Sequence, residues 1–279
     1  MDRLANKYLR SRKIPSTTCS GCGLGQVHKK ALLAIEQLGL ARDDLVWGTG
    51  IGCAGRQTFN TWKGDNFAGT HGRVYAIATG LRVALPEEKK ILLTVGDGDA
   101  FGIGLLHLLN CARRNLGVTV LVADNFGYQS TGGQYSPTTP QGYVTDSSPY
   151  GVRESGWLQN GIDILSLLRE AGASFLARHS SFDGQDAVDS IKKALSTKGF
   201  SLVHMVYPCV THFGALSLKS RDKAEIFRWF EKLFSPDGAG PESLRLRKGV
   251  FYDTATVRPE FASSLKEWTR GVQRGAEHV

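Results

Sequence analysis

The sequence predicts an α/β protein with a doubly wound, mostly parallel sheet, and two observations lead to this prediction. Between residues 44 and 209, short β-branched runs alternate with helical stretches, which is typical of parallel strands joined by covering helices. The chain has 279 residues, 41% of them hydrophobic and 22% charged, so it can bury a sizeable core. We therefore expect one large domain with N- and C-terminal extensions.

The strands are predicted from apolar runs that end at Gly, Asp, Asn or Pro. They cover residues 45–47, 91–95, 118–124, 174–178 and 201–207. Apolar residues at helical spacing predict helices near 105–116 and 187–195. The stretch 127–151, rich in Gly, Ser, Thr and Pro, exceeds an ordinary connection and is a candidate active-site loop, with a disordered linker as the alternative.

The chain ends differ from this body in composition. Residues 6–25 are basic and polar, and 235–279 are rich in Gly, Pro and Arg, with a last helical pattern near 261–272. We predict a main domain over 1–235, which includes the N-terminal CxxC segment, and a C-terminal extension over 236–279.

The charge and the apolar patterning limit the possible partners. The formal charge of +8 favours association with an acidic partner, but the basic residues are scattered and no nucleic-acid module is recognisable. No apolar run approaches the roughly 18 residues needed to cross a bilayer, and no signal-peptide pattern follows Met1. We expect a cytoplasmic protein that binds neither nucleic acid nor membranes.

A turn of sequence Gly-Asp-Gly-Asp at 96–99 follows the second predicted strand directly. Glycines allow close approach of the backbone to a phosphate, a helix start offers free N–H groups, and Asp97 supplies a hard oxygen for Mg²⁺. The next strand ends at Asn125, where the amide oxygen and the Gly127 carbonyl could complete the coordination. The alternative is a simple strand-to-helix turn with an aspartate cap. A nucleoside-triphosphate site is less favoured, because GxxxxGK[ST] is absent.

Five cysteines in such a chain argue for reduced thiols or metal ligation rather than disulfides. Cys19 and Cys22 form a CxxC pair, which alone could bind zinc. Cys53 and Cys209 follow the first and last predicted strands, at the edge of the sheet where a cofactor is expected, although buried free thiols are the alternative. Cys111 falls within a predicted helix and is expected to be structural.

The loop 50–55 matches GxGxxG after a strand and so raises nicotinamide binding as an alternative. The acidic residue expected about 20 positions later is not evident, since 69–73 reads Gly-Thr-His-Gly-Arg. No GxSxG or HExxH pattern supports a hydrolase.

The residues resemble a known family. Asp97 in GDG with Asn125 placed 28 positions later resembles the thiamine diphosphate motif, and the wider pattern is similar to the β subunit of 2-oxoacid:ferredoxin oxidoreductases over about residues 15–215. The wider pattern consists of Gly96, Asp97, Gly98, Asp99, Gly102, Ile103, Gly104, His107, Arg113, Arg114, Asn115, Tyr128, Thr131, Gly132, Gly133 and Gln134. Gln129 and Ser130 depart from the residues common in relatives, which weakens substrate assignment by that segment.

The resemblance implies a thiamine diphosphate-binding fold and a set of cofactor contacts. Those contacts are Ile51, Gly52, Cys53, His71, Gly96, Asp97, Gly98, Asp99, Asn125, Gly127, Tyr128, Thr131 and Gly132. Mg²⁺ is expected on Asp97, Asn125 and the Gly127 carbonyl. A [4Fe–4S] cluster is expected on Cys19, Cys22, Cys53 and Cys209. His71 is the candidate catalytic residue, with a structural hydrogen bond as its alternative role.

The resemblance also implies the reaction and the partners. It implies coenzyme A-dependent oxidative decarboxylation of a 2-oxo acid, or the reverse CO₂-fixing reaction, with electrons passed through the cluster to ferredoxin. An α subunit is expected to supply the activating glutamate, in a heterodimer or a dimer of heterodimers. The form GDGDxxGIGxxH favours 2-oxoglutarate, with pyruvate or broad 2-oxo acid specificity as the alternative. An NAD-dependent dehydrogenase and a non-catalytic metal-binding subunit are more distant alternatives.

Overall fold

A single seven-stranded sheet runs through the protein in a computed structural model. The structure describes residues 2–10, 16–153, 163–234, 244, 246–254 and 258–276. In chain order the strands are β1 (Leu45–Thr49), β2 (Asn66–Ala68), β3 (Lys90–Gly96), β4 (Thr119–Asp124), β5 (Phe175–Ser180), β6 (Ser201–Val206) and β7 (Gly249–Asp253). They lie in the order β2-β1-β3-β4-β6-β5-β7, and every neighbouring pair is parallel except β5 with β7. The predicted α/β class with a mostly parallel sheet is confirmed.

Helices cover both faces of this sheet. The described residues form α1 (Asp2–Tyr8), α2 (Leu24–Gln37), α3 (Cys53–Thr61), α4 (Val74–Ala84), α5 (Leu105–Arg113), α6 (Ile164–Ala171), α7 (Gln185–Ser196), α8 (Lys223–Lys232) and α9 (Phe261–Ala276). Residues of α1, α2, α3 and α7 share one buried apolar layer, whereas α4, α5 and α6 share the other. Burial of these two layers is the main favourable contribution to folding.

Each helix presents its apolar side chains at the spacing that places them on one face. In α2, Val27, Ala31 and Ile35 recur at i, i+4 and i+8 and are fully buried. In α7, Ala187, Ile191 and Ala194 do the same at i, i+4 and i+7. The central strands are buried on both faces, which explains why their sequences are almost continuous apolar runs.

The chain reverses its direction of progress across the sheet between β1 and β3. After β1 it forms β2 on the outer side, and it then returns to form β3 on the inner side. The loops that follow β1 and β3 therefore diverge and leave a crevice at the carboxyl ends of the strands, which is where α/β sheets bind ligands. The N–H of Gly50 donates to the Thr94 carbonyl at 3.2 Å, which joins the two strand ends at the base of this crevice.

All five predicted strands are present, with ends shifted by no more than two residues. Two strands were not predicted. β2 has only three residues, and β7 lies inside the segment predicted as a C-terminal extension, where it joins the sheet as an antiparallel edge strand beside β5. α9 also contacts the body, through α4. The domain boundary at residue 235 stays a prediction.

Membrane insertion of a helix finds no support in the described part of the chain. None of its helices combines the length and the apolar character that crossing a bilayer requires.

Candidate active site

One cavity lies where β1, β3, β4 and β6 end. Its described lining consists of Ile51, Gly52, Cys53, Ala54, His71, Gly96, Asp97, Gly98, Asp99, Ala123, Asn125, Gly127, Tyr128, Gln129, Ser130, Thr131 and Tyr207. Twelve of the thirteen predicted cofactor contacts are in this set. Gly132 lies just outside it, in the left-handed region at φ 133°, one residue beyond Thr131.

Asp97 is a buried carboxyl held by hydroxyl groups from the long loop after β4. Ser136 Oγ donates to Asp97 Oδ2 at 2.5 Å. Thr138 Oγ1 lies 2.9 Å from Asp97 Oδ2 and 3.0 Å from Asp124 Oδ1. The hydroxyl proton of Thr138 can be donated to only one carboxylate at a time, so the two buried carboxylates compete for this hydrogen bond.

Burial raises the pKa of Asp97 and of Asp124 well above the usual range for aspartate. The charge of Asp124 is the second cause of the shift in the pKa of Asp97. Both causes are expected to raise the pKa of a carboxyl, because removal from water and a nearby like charge disfavour its ionised form. The pair forms a strong acceptor site that a cation would stabilise.

The Asn125 amide lies between two acceptor oxygens and a tyrosine hydroxyl. One end of the amide is 3.3 Å from Asp97 Oδ1 and 3.0 Å from the Gly127 carbonyl, and the other end is 2.7 Å from Tyr207 Oη. Hydrogen bonding favours the orientation in which the amide nitrogen donates to Asp97 and Gly127 and the amide oxygen accepts from Tyr207. Rotation of the amide by 180° would place three oxygens together, which is the arrangement that a hard cation requires.

Asp99 organises the opposite wall. Its Oδ1 accepts hydrogen bonds from His71 Nδ1 and from the Gly72 N–H, the latter at 2.7 Å. Burial raises the pKa of the Asp99 carboxyl, while Gly72 and His71 oppose the shift. A Cβ atom on Gly50 would lie 1.8 Å from Asp99 Oδ2, so the loop after β1 approaches this carboxyl closely only because residue 50 is glycine.

Gly98 gives the backbone access to the cavity. A Cβ there would lie 2.4 Å from the ring of Tyr128, whose hydroxyl donates to the Gly98 carbonyl at 3.1 Å. His71 packs edge-on against the same ring, with ring centres 5.7 Å apart. The residues 98–103 form a wide π-type turn rather than a regular helix start, a feature that recurs at functional sites.

The chain segments that carry the four predicted cluster cysteines are adjacent, since the Cys22 N–H donates to the Cys19 carbonyl and the Gly23 N–H to the Pro208 carbonyl, both at 3.0 Å. Burial is the main cause that raises the pKa of the Cys22 thiol to about 12, and the charges of Cys209, Cys53 and Cys19 act in the same direction. The described residues nevertheless contain no group of three or more His, Cys, Asp or Glu side chains disposed to hold a metal ion. The cluster assignment stays a prediction at this point. Cys111 is buried in α5, in the apolar layer on the opposite face of the sheet.

A chain of buried polar side chains extends from the site through the sheet. His204 Nε2 donates to Asp124 Oδ2 at 2.8 Å, and Arg178 Nε donates to His204 Nδ1 at 3.0 Å. Arg178 then forms a bidentate pair with Asp163 at 2.6 and 2.9 Å. Because Arg178 occupies Nδ1 of His204, the proton of the neutral ring is on Nε2 and faces Asp124.

This chain of contacts was not predicted from the sequence. His204 was assigned no role from the sequence, and Asp124 was only the last residue of a predicted strand. Arg178, His204 and Asp124 lie on three neighbouring strands, so their contacts depend on strand order. A possible signal was present: each is a polar residue within an otherwise apolar strand, where a buried polar group needs a partner.

Comparison with known proteins first gives the class. Residues 50–205 match the family model described as thiamine pyrophosphate enzyme, C-terminal TPP binding domain. This span contains the whole cavity lining except Tyr207. The fold and the site thus define a thiamine diphosphate-binding protein, as the motif predicted.

Relatives then give the family. The chain is 37% identical over 267 residues to 2-oxoglutarate synthase subunit KorB of Methanocaldococcus jannaschii, across 94% of this chain and 95% of that one. It is 33% identical over 229 residues to 2-oxoacid:ferredoxin oxidoreductase 2, subunit beta, of Aeropyrum pernix, across 81% and 71%. The solved 2-oxoglutarate:ferredoxin oxidoreductase from Magnetococcus marinus, with 2-oxoglutarate, coenzyme A and succinyl-CoA bound, superimposes with a TM-score of 0.79 at 25% identity, over 96% of this chain and 90% of that chain. The chain belongs to the β subunits of the 2-oxoacid:ferredoxin oxidoreductases, and the predicted resemblance is confirmed.

Proposed function

We propose that this chain carries the cofactors of an enzyme that oxidatively decarboxylates a 2-oxo acid, with 2-oxoglutarate as the substrate. The 2-oxo acid anion and the thiol of coenzyme A would give an acyl thioester, CO₂, two electrons and one proton. The single observation that carries the proposal is the convergence of the Asp97 carboxyl, the Asn125 amide and the Gly127 carbonyl at the switch point of the sheet. Similarity to proteins named 2-oxoglutarate synthase supports the choice of substrate.

Thiamine diphosphate, when bound, supplies the carbon nucleophile and the electron sink that the decarboxylation needs. The residues of this chain fit the diphosphate and its cation. Asp97, Asn125 and the Gly127 carbonyl would hold Mg²⁺, because Mg²⁺ prefers few protein oxygens together with phosphate oxygens. The exposed backbone at Gly98 would approach the diphosphate, and Asp99 would keep His71 directed towards the cavity.

The thiols would supply an electron acceptor. Four thiolates would bind a [4Fe–4S] cluster, and the segments that carry them are adjacent. The Cys22 N–H donates to the Cys19 carbonyl and the Gly23 N–H to the Pro208 carbonyl, both at 3.0 Å, and Cys22 and Cys53 pack against one apolar layer. The backbone N–H groups of residues 211–213 oppose the rise in the pKa of the Cys209 thiol that burial causes. Hydrogen bonds from N–H groups to sulfur stabilise the thiolate form and tune cluster potential.

The site would be completed by partners. No glutamate is among the residues described as lining the cavity, which supports an α subunit as the source of the activating carboxylate. The formal charge of +8 supports ferredoxin, an acidic protein, as the electron acceptor.

Metal analysis of the anaerobically purified chain tests the cluster. We expect about four irons and matching sulfide per chain, with the visible absorbance of iron–thiolate bonds. Cys209→Ser should lose iron, whereas the matched control Cys111→Ser, at another buried thiol, should keep it. Zinc without sulfide would contradict the proposal and favour a structural metal site.

Reconstitution with the α subunit tests the reaction. We expect reduction of ferredoxin that requires thiamine diphosphate, Mg²⁺, coenzyme A and 2-oxoglutarate. Asp97→Ala should abolish it with iron content unchanged, and Asp65→Ala, at an exposed carboxylate, should not. Faster turnover of pyruvate would move the assignment to the pyruvate or broad-specificity alternative, and NADH formation in the absence of thiamine diphosphate would refute it.

A further inference from the structure

A turn of sequence Ser-Pro-Thr-Thr at 136–139 lies in the long loop after β4. The Thr139 N–H donates to the Ser136 carbonyl at 3.0 Å, and Pro137 holds the second position, where its fixed φ favours a β-turn. The side chains of Ser136, Thr138 and Thr139 are at most 1% exposed. Buried hydroxyls need hydrogen-bond partners, and here the partners lie at the ends of β3 and β4, which carry the proposed cation ligands.

Two hydroxyls of this turn hold one oxygen of Asp97. Ser136 Oγ lies 2.5 Å and Thr138 Oγ1 2.9 Å from Asp97 Oδ2. The other oxygen, Oδ1, faces the Asn125 amide at 3.3 Å. An ionised carboxylate only accepts hydrogen bonds, so Ser136 donates to Oδ2, and Thr138 can donate to it as well. The turn therefore fixes the rotation of the carboxyl group and keeps Oδ1 on the side of the other proposed ligands.

The third hydroxyl holds the end of β4. Thr139 Oγ1 donates to the Phe126 carbonyl at 2.8 Å, and the Phe126 N–H donates to Asp124 Oδ1 at 2.9 Å. Phe126 has φ 62°, in the left-handed region that residues other than glycine rarely adopt. Such a conformation persists only where the surrounding structure fixes it. Because Phe126 lies between Asn125 and Gly127, its backbone determines where these two proposed ligands stand relative to each other.

We propose that the turn 136–139 is a positioning clamp for the cation. It holds Asp97 on the loop after β3 and residues 125–127 after β4 at the separation that the cation requires. This inference rests on the proposed function. The three hydroxyls orient the ligands and are not ligands themselves, which is the role that the hydrogen-bond partners of metal ligands have. A turn that only stabilised the loop would change the stability of the chain without changing its affinity for the cation.

The hydroxyls can be removed with little change of shape. Thr138→Val and Thr139→Val each remove one hydroxyl and keep the branched side chain, whereas Thr138→Ser and Thr139→Ser keep the hydroxyl. We expect the affinity of the full chain for Mg²⁺, measured by calorimetric titration with saturating thiamine diphosphate, to fall about 10- to 100-fold in each valine variant. It should stay near the wild-type value in each serine variant. Thermal unfolding without ligands checks that each variant is folded.

A second cation separates positioning from other effects of the hydroxyls. Mg²⁺ demands near-ideal octahedral geometry, whereas Ca²⁺ accepts irregular coordination. The affinity for Ca²⁺ should therefore fall less than the affinity for Mg²⁺ in the valine variants. Thr119→Val is the matched control, because Thr119 is a buried threonine at the opposite end of β4 whose hydroxyl donates to the Ala194 carbonyl at 3.0 Å. Both of its affinities should equal those of wild type.

Three results would overturn the clamp. These are wild-type Mg²⁺ affinity in the valine variants, equal losses for Mg²⁺ and Ca²⁺, and equal losses in the valine and serine variants, which would assign the effect to packing of the methyl group. If a valine variant does not fold, Ser136→Ala gives the same test, since it removes the shorter hydrogen bond to Asp97 Oδ2. A wild-type chain that binds no Mg²⁺ with thiamine diphosphate, alone or with the α subunit, would refute the proposed function and the clamp with it.

Discussion

Arg178 is the residue whose removal tests the buried polar network most directly. It is 2% exposed, forms a bidentate pair with Asp163 and donates to His204. Substitution by methionine keeps most of the aliphatic stem but removes the charge, all three hydrogen bonds and the contact of the guanidinium carbon with the Phe251 ring, 4.9 Å from its centre. The variant therefore removes the contacts of the guanidinium while it keeps most of the volume of the side chain.

The magnitude follows from what Arg178→Met leaves unpaired. Removing one partner of a buried ion pair costs about 3–5 kcal/mol, and a buried acceptor without its donor costs about 1–3 kcal/mol. The Asp163 side chain is 28% exposed and continues to cap α6 through the Leu165 N–H at 2.9 Å, so water and the helix recover part of its loss. We expect the free energy of unfolding to fall by about 3 kcal/mol.

Urea unfolding followed by circular dichroism measures this change, provided that both variants show the wild-type denaturant slope. Arg169→Met is the matched control: Arg169 pairs with Glu170 at 2.6 Å, but the two side chains are 52% and 70% exposed, and such pairs contribute about 0–1 kcal/mol. A buried charge that loses its partner should cost far more than an exposed one. If Arg178→Met costs less than about 1 kcal/mol, or no more than the control, the buried network does not stabilise the fold and this reasoning fails.

Two further substitutions test other buried groups. Burial lowers the pKa of His28 from 6.5 to about 4. As the pH falls, the unfolded chain therefore binds this proton at a higher pH than the folded chain does. The free energy of unfolding decreases as the pH falls from 6.5 through 4, by about 3 kcal/mol at pH 4. His28→Phe should remove this loss in urea titrations at pH 7 and pH 4, and His107→Phe should retain it; an equal slope in both variants would contradict the assignment. Gly50→Ala should displace the Asp99 carboxylate, lowering the melting temperature and thiamine diphosphate binding, because its Cβ would lie 1.8 Å from Oδ2. Gly25→Ala, with nothing within 4 Å of its Cβ, should be neutral or stabilising by up to about 1 kcal/mol, and equal effects of the two alanines would argue against the clash.

The parts of the fold that were predictable are those that local sequence determines. The central strands are buried on both faces and read as apolar runs, and the loop after β3 combines glycines with carboxylates that few structural turns need. β2 and β7 were missed because each is short or partly exposed, so apolar patterning gives little signal and pairing with a neighbour decides their conformation.

The residues of the site differ in the same way, between those that local sequence indicates and those that only the fold brings together. Asp97 and Asn125 were predicted to lie together because each follows a strand directly, and ends of parallel strands meet at one edge. Ser136, Thr138 and Tyr207 were not predicted to lie there, since their contacts depend on how the loop after β4 folds back and on which strand lies beside β4. A spacing pattern cannot reveal a contact that arises from strand order.

The carboxyl at residue 97 also predicts a conflict between stability and cation binding. In the chain without a cation, the Asp97 and Asp124 carboxyls are both buried, their charges oppose each other, and Thr138 Oγ1 lies within hydrogen-bond distance of both. Asp97→Asn removes one of the two carboxyls while its remaining oxygen still accepts from Ser136, so we expect the cation-free chain to gain about 1–2 kcal/mol, in the range typical of single stabilising substitutions that sacrifice function. The same variant should lose the stabilisation that wild type gains from Mg²⁺ with thiamine diphosphate, which is about 2.7 kcal/mol at a ligand concentration about 100 times the dissociation constant. Thermal unfolding with and without the two ligands measures both effects, and Asp65→Asn serves as the exposed control. If the variant is less stable than wild type without ligands, the Asp97 carboxyl does not lower the stability of the cation-free chain. If the ligands still stabilise the variant, this carboxyl is not needed to bind them.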